Sequence, residues 1–193
     1  MIPATMISGH LAEHRSAAQA IAELAPAINE VSGLLLRCFS GGGVVYTCGN
    51  GGSAADAQHF SGELIGHYRR DRRPLPAVTL TTDATVWTCI ANDYSAEQVF
   101  SRQVEALAKP GDVVVGFTTS GRSENVVAAL AAAKAKGAAT VLFGGPVPGP
   151  AGQYADYMLL APAPNTPRVQ ELHTLMLHAV SDVVDAWAAG ELG

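Results

Sequence analysis

Val44-Val45-Tyr46-Thr47-Cys48-Gly49-Asn50-Gly51-Gly52-Ser53 is the stretch whose reading sets the fold. A short, nearly continuous apolar and β-branched run predicts a strand buried on both faces, and such a strand needs helices above and below its sheet. Glycines then permit a tight turn, and an Ala-rich run over residues 53–66 takes the helical period, with Ser53 placed to cap it. Strand, glycine turn and helix together form the repeating unit of a parallel α/β sheet.

The same alternation continues outward from this unit. Strands are expected at 44–48, 77–81, 113–117, 139–143 and 156–160, and helices at 53–66, 84–91, 96–108, 123–136 and 168–189. The expected fold class is therefore α/β: a doubly wound, mainly parallel five-stranded sheet flanked by helices. Upstream, residues 8–39 read as helical. Ser8 is placed to cap a stripe of Leu11, Ala18, Ile21, Ala22 and Ala25; Pro26 breaks or kinks the helix; Ile28, Val31, Leu34, Leu35 and Cys38 stripe a second segment. Helices ahead of the first strand either cover the sheet or pack against another subunit. Gly41-Gly42-Gly43 ends them, and Pro146-Val147-Pro148-Gly149-Pro150 reads as a surface connection. With no internal repeat or linker, residues 1–193 are expected to form a single domain.

Composition narrows the function. Charged residues make up 15% of the chain, below the ~25% usual for soluble domains, so part of the surface is expected to be buried between subunits. A net charge of −5 gives no basic field for nucleic acid, and the run Arg69-Arg70-Asp71-Arg72-Arg73 reads as a solvated turn. Cys38, Cys48 and Cys89 are odd in number and lack CxxC spacing, which fits a reducing compartment. Residues 1–11 lack the pattern of a secretory signal, and no apolar run reaches the ~18 residues of a membrane span. A cytoplasmic location is expected.

Two loops carry chemistry suited to a phosphorylated ligand. The turn Asn50-Gly51-Gly52-Ser53 opens a helix, and its free amides either face an anion or simply close a tight connection. It matches neither GxGxxG nor GxxxxGK[ST], so no dinucleotide or P-loop signature is present. At the end of the 113–117 run, Thr118-Thr119-Ser120-Gly121-Arg122-Ser123 offers a cluster of short hydroxyl donors, suited to a phosphate or to ordinary turn and capping duty. A third loop, Ala91-Asn92-Asp93-Tyr94, suits either sugar hydroxyls or a backbone turn.

Two helices supply acid–base groups. His59 and Glu63 share one helical face at i,i+4, while Gln170, Thr174 and His178 follow i,i+4,i+8 through an otherwise apolar helix. Together they offer a carboxylate base for the C–H beside a sugar carbonyl, Glu63, and an acid–base partner, His178, for an enediol route. His59, Glu63, Gln170 and His178 also form an N/O donor set of the kind zinc accepts, and surface hydrogen bonding or interface packing remains open for the same residues.

Over nearly its whole length the chain resembles the sugar isomerase (SIS) domain superfamily and, within it, the bacterial phosphoheptose isomerases. The resemblance rests on residues 48–60 with Glu63, Leu64 and Gly66, on Ala91-Asn92-Asp93-Tyr94, on Thr119-Ser120-Gly121 with Ser123, and on Arg168-Val169-Gln170-Glu171-Leu172-His173 ending at His178. It implies conversion of D-sedoheptulose 7-phosphate to D-glycero-D-manno-heptose 7-phosphate by a homotetramer with active sites between subunits. By motif position it implies catalysis by Glu63 and His178 and one Zn2+ per subunit on His59, Glu63, Gln170 and His178. Substrate would contact Asn50, Gly51, Gly52, Ser53, Glu63, Asn92, Asp93, Thr118, Thr119, Ser120, Ser123 and Gln170. Thr118, Arg122, Pro167 and the segment Gly144-Gly145-Pro146-Val147-Pro148-Gly149 depart from the family's usual residues. The alternatives are an isomerase of another ketose phosphate and a non-catalytic SIS assembly or regulatory protein.

Overall fold

The computed structural model describes residues 4–192. Its sheet has the order β2-β1-β3-β4-β5, formed by β1 (Val45–Gly49), β2 (Ala77–Thr79), β3 (Val113–Thr118), β4 (Ala139–Gly144) and β5 (Tyr157–Leu160). Every pairing is parallel, with Val45 opposite both Ala77 and Val113 and with Val113 opposite Ala139. The chain direction across the sheet reverses between β1 and β3. In open α/β sheets, that switch point is where a crevice forms outside the carboxyl ends of the strands.

Alternation along the strands divides the core into two layers. Val113, Val115 and Phe117 join one apolar cluster with α2 (Ala25–Ser40), α3 (Gly52–Ile65) and α7 (Thr166–Ala188). Tyr46, Cys48, Val114 and Leu142 face the other, with α4 (Ala84–Asp93), α5 (Ser101–Leu107) and α6 (Glu124–Ala135). The central strand β3 is buried at every position, which is why its sequence carries no polar alternation.

Several boundaries differ from expectation. Helix α1 (Ala4–Ala20) already encloses Ser8, whose Oγ donates to the Thr5 carbonyl instead of capping, and Leu11 lies on an exposed face. The break before α2 is a 3-10 turn over Ile21–Leu24, and Pro26 sits in the first turn of α2, where its missing N–H costs nothing. The expected helix at 96–108 is two pieces, a 3-10 turn at Ala96–Gln98 and α5, separated by the buried Val99 and Phe100. Asn92 and Asp93 form the last turn of α4 and not a loop. Gly51 stands at the N-cap of α3, so Ser53 is a buried first-turn residue rather than the cap.

The Pro-rich connection is more than a surface strap. A Cβ on Gly121 would lie 2.0 Å from the Pro148 carbonyl oxygen, and Gly121 has φ +65. Glycine there lets the 146–150 segment pack directly on the hydroxyl loop, where the Ala151 amide donates to the Gly121 carbonyl.

Candidate active site

The Gly-rich turn leaves β1 and the hydroxyl loop leaves β3, so both open onto the switch point. Paired side-chain amides tie them together. Asn50 Nδ2 donates to Asn125 Oδ1 at 2.8 Å, and Asn125 Nδ2 donates back to Asn50 Oδ1 at 2.9 Å. Within the hydroxyl loop, buried Thr118 and half-buried Ser123 share a hydrogen bond of 3.0 Å, and the Arg122 amide donates to Ser120 Oγ. Asn50, Ser123 and Asn125 line one open recess of about 310 Å³ together with Ala96 and Glu97.

Helices α3 and α7 start at this same edge and run side by side. A Cβ on Gly52 would fall 2.5 Å from Gln170 Nε2, so the glutamine amide lies flat on the first turn of α3. One turn on, Thr174 Oγ1 donates to Asp56 Oδ1. A further turn brings His178 Nε2 to 3.2 Å from His59 Nε2, with the imidazoles edge to face, and His59 Nε2 lies 2.9 Å from Glu63 Oε1. The spacing read from sequence, 59/63 against 170/174/178, is thus a single helix–helix seam.

One nitrogen carries at most one proton, yet His59 Nε2 is approached by both a carboxylate oxygen and another imidazole nitrogen. Ligand atoms of His59, Glu63 and His178 all lie within 4.8 Å of one another. Two nitrogens on a tetrahedral zinc with bonds of about 2.0–2.1 Å stand about 3.3 Å apart, so the two-imidazole, one-carboxylate set fits a divalent metal in both donor type and spacing. Burial, and then the neighbouring His59, push the His178 pKa below that of a free imidazole against the opposing pull of Glu63. A neutral ring is the form able to bind a cation or accept a proton.

Other sequence candidates lie elsewhere. Asn92 donates to Asp93, which accepts from Cys89, so their hydrogen bonds stay within α4. Ser53 is buried beneath the turn. Burial raises Cys38 to about 11 and Cys48 to about 12, which leaves neither as a thiolate at neutral pH. His173, on the adjacent face of α7, is fully buried between Phe117 and Phe143 with Nε2 3.1 Å from the Gly144 carbonyl. Asn125 carries no sequence signal beyond a helix first turn, and Tyr68, whose ring lies 5.2 Å from that of His178, immediately precedes the run at 69–73 that reads as a solvated turn. That segment is partly structural: Arg70 and Arg72 are engaged with Asp182, Asp185 and Glu191.

A hydroxyl-bearing loop at the switch point of a 2-1-3-4-5 sheet, with carboxylate and imidazole groups gathered on the seam of two adjoining helices, fits a sugar-phosphate class of SIS protein. In agreement, the SIS domain family profile matches residues 11–145. The phosphoheptose isomerase of Helicobacter hepaticus is 42% identical over 189 residues, covering 98% of this chain and 96% of that one. The structure of the Neisseria gonorrhoeae phosphoheptose isomerase superposes with a TM-score of 0.89 at 40% identity, covering 94% and 98%. That of Francisella tularensis gives 0.92 at 33%, covering 96% and 99%. The chain belongs to the phosphoheptose isomerase family.

Proposed function

We infer that Glu63 and His178 carry the chemistry of this family in this chain. The enzyme is an aldose–ketose isomerase that converts D-sedoheptulose 7-phosphate to D-glycero-D-manno-heptose 7-phosphate through an enediol. The observation that carries the assignment of roles is the convergence of the Glu63 carboxylate and the His178 imidazole on one helix–helix seam that begins at the Gly-rich turn. Glu63 takes the proton from C1 of the ketose, beside the C2 carbonyl. The C2 carbonyl oxygen gains a proton to complete the enediol; on collapse a proton is delivered to C2 and the O1 hydroxyl gives up its own, so that O1 becomes the aldehyde oxygen and no net proton is gained or lost. His178, held neutral, is the acid–base partner in these transfers. Asn50, Gly51, Gly52, Thr118, Thr119, Ser120, Ser123 and Gln170 are proposed to hold the substrate, with its phosphate at the hydroxyl loop; Ser53, Asn92 and Asp93 are retained as contacts from motif position.

We propose one Zn2+ per subunit, held by His59, Glu63, Gln170 and His178; bound there, it would polarise the carbonyl and enediolate oxygens. A homotetramer with active sites between subunits is supported by the low charged fraction and by Met6, Ile7 and Leu11, which are exposed along α1. Residues 1–193 are taken as one SIS domain with N-terminal helices over about 8–39. No helix among the described residues is long and apolar enough to cross a membrane, which is compatible with the proposed cytoplasmic location.

The test is turnover of sedoheptulose 7-phosphate by wild type and Glu63→Gln, with fructose 6-phosphate and shorter ketose phosphates as competitors and metal content measured on the same sample. Loss of the carbon base is expected to lower kcat by roughly 10²–10⁴-fold. Turnover of another ketose phosphate alone would replace the heptose assignment, and an unimpaired Glu63→Gln enzyme would remove Glu63 from the mechanism.

A further inference from the structure

Glu63 lies in the last turn of α3, which ends at Ile65, and a helix end leaves its last carbonyls without intrahelical donors. Here the Gly66 amide takes the Gly62 carbonyl, the Leu75 amide reaches the Leu64 carbonyl, and one side chain serves the Glu63 carbonyl and shares that of Leu64. Arg72 donates from Nη2 to the carbonyl of Glu63 itself at 2.6 Å, and from Nη1 to the carbonyls of Leu64 at 2.8 Å and Gly66 at 3.2 Å. Nη1 also reaches the Arg73 carbonyl at 2.9 Å. The third nitrogen, Nε, donates to Asp185 Oδ1 at 2.9 Å, and the pair is almost fully enclosed, with side-chain exposures of 1% and 0%.

Asp185 lies two helical turns beyond His178 on α7. Its carboxylate also accepts from the backbone amides of Tyr68, Arg69 and Arg70 at 3.3, 3.0 and 2.7 Å. Those bonds hold the chain leaving α3 in the path that lays the Tyr68 ring against His178. The guanidinium–carboxylate pair therefore touches the backbone of Glu63, the helix of His178 and the segment that supports the His178 ring. The C-cap glycine, Gly66, satisfies only the Gly62 carbonyl, and at an exposed helix end water would satisfy the others. A buried ion pair that spans both helices fixes, in addition, how far apart they stand.

We propose that Arg72 and Asp185 are positioning residues for the isomerisation, setting the Glu63–His178 separation from behind. This rests on the roles assigned to Glu63 and His178 above. Neither residue contacts the hydroxyl loop or the Gly-rich turn, which grip the phosphate end and are joined separately through Asn50 and Asn125. Their perturbation should accordingly fall on kcat and spare KM.

The experiment compares wild type with Arg72→Lys and Asp185→Glu, which keep both charges but not the forked geometry, at a temperature well below every variant's unfolding midpoint. Expected is a fall in kcat for sedoheptulose 7-phosphate of roughly 10- to 100-fold in each variant, with KM within about threefold, because displacement of reacting groups by about 1 Å costs that order in rate. Variants that keep kcat within about twofold overturn the proposal even if their melting points drop, as does a loss confined to KM. Failure of both charge-conserving variants to fold overturns it as well, since the pair would then serve the fold as a whole. Wild-type turnover is the control: its absence counts against the functional reading, whereas normal wild-type turnover with unimpaired variants counts only against the positioning role.

Discussion

Gly52→Ala is the substitution whose outcome the structure fixes most sharply. The added methyl would stand 2.5 Å from Gln170 Nε2 and 2.7 Å from Gln170 Cδ and Oε1. Ordinary contact begins near 3.4 Å, so the glutamine amide must retreat by roughly 0.9 Å. The obstacle is the end of a flexible side chain, and Gly52 opens a helix, where alanine is favoured over glycine by up to about 1 kcal/mol. Stability should hold or rise slightly while Gln170 moves out of place. With Gln170 in its proposed role as a substrate and metal contact, displacement of that size is expected to cost about 10²-fold in kcat/KM, or ~2.7 kcal/mol of transition-state stabilisation. The assay is steady-state turnover of sedoheptulose 7-phosphate by wild type, Gly52→Ala, Gln170→Ala and the double variant, with thermal unfolding of each. In the double variant the obstacle is gone, so it should be no worse than Gln170→Ala alone. The reasoning fails if Gly52→Ala stays within twofold of wild type, or if its full loss persists on the Gln170→Ala background.

Two further outcomes follow from contacts outside the seam. Asn125→Ala removes both hydrogen bonds to Asn50 and frees the Gly-rich turn from the hydroxyl loop, so KM should rise about 3- to 10-fold with kcat little changed; a loss in kcat at constant KM would show that the tie serves something other than binding. Burial raises the Asp156 pKa, but Lys134 and the Thr140 hydroxyl and amide outweigh it and hold the carboxyl below its usual range. A depressed folded-state pKa contributes stability above the unfolded value of about 3.9, and that contribution is lost as pH falls through the folded value. Asp156→Asn should therefore cost about 1–2 kcal/mol at pH 7, discounted for partial exposure, with the two urea midpoints converging below about pH 4; a gap that stays constant from pH 7 to pH 3 would contradict it.

The sheet was legible because the strands are buried on both faces, and such runs announce themselves without any partner being known. Strand β2 is shorter than its apolar run because it is an edge strand: Val78 is exposed, and the Leu80 amide bonds back to Thr47 as the chain turns away. The acid–base seam was equally legible, since i,i+4 spacing on each of two helices is a property of the local chain. What pairs across long sequence distances was not. Asn125 meets Asn50 over 75 positions, and Arg72 meets Asp185 over 113, so nothing local marks either. The charge run at 69–73 gave the opposite impression, because charged residues ordinarily stay in water and only the backbone path delivers Arg72 to a buried acid. Ser8 misled for a simpler reason: serine is a good cap, but the helix began earlier.

Gln170 over Gly52, Thr174 beside Asp56 and His178 beside His59 advance in step along two helices laid in the same direction. A one-residue insertion or deletion in either helix ahead of these contacts would swing everything after it by about 100° and uncouple every later pair at once. Such a ratchet tolerates no change of length between residues 52 and 63 or between 170 and 178. Novelty in chain length is thereby pushed into the connections, of which the proline-bearing 146–150 segment, leaning on the hydroxyl loop, is the one best placed to alter what the pocket accepts without disturbing the chemistry.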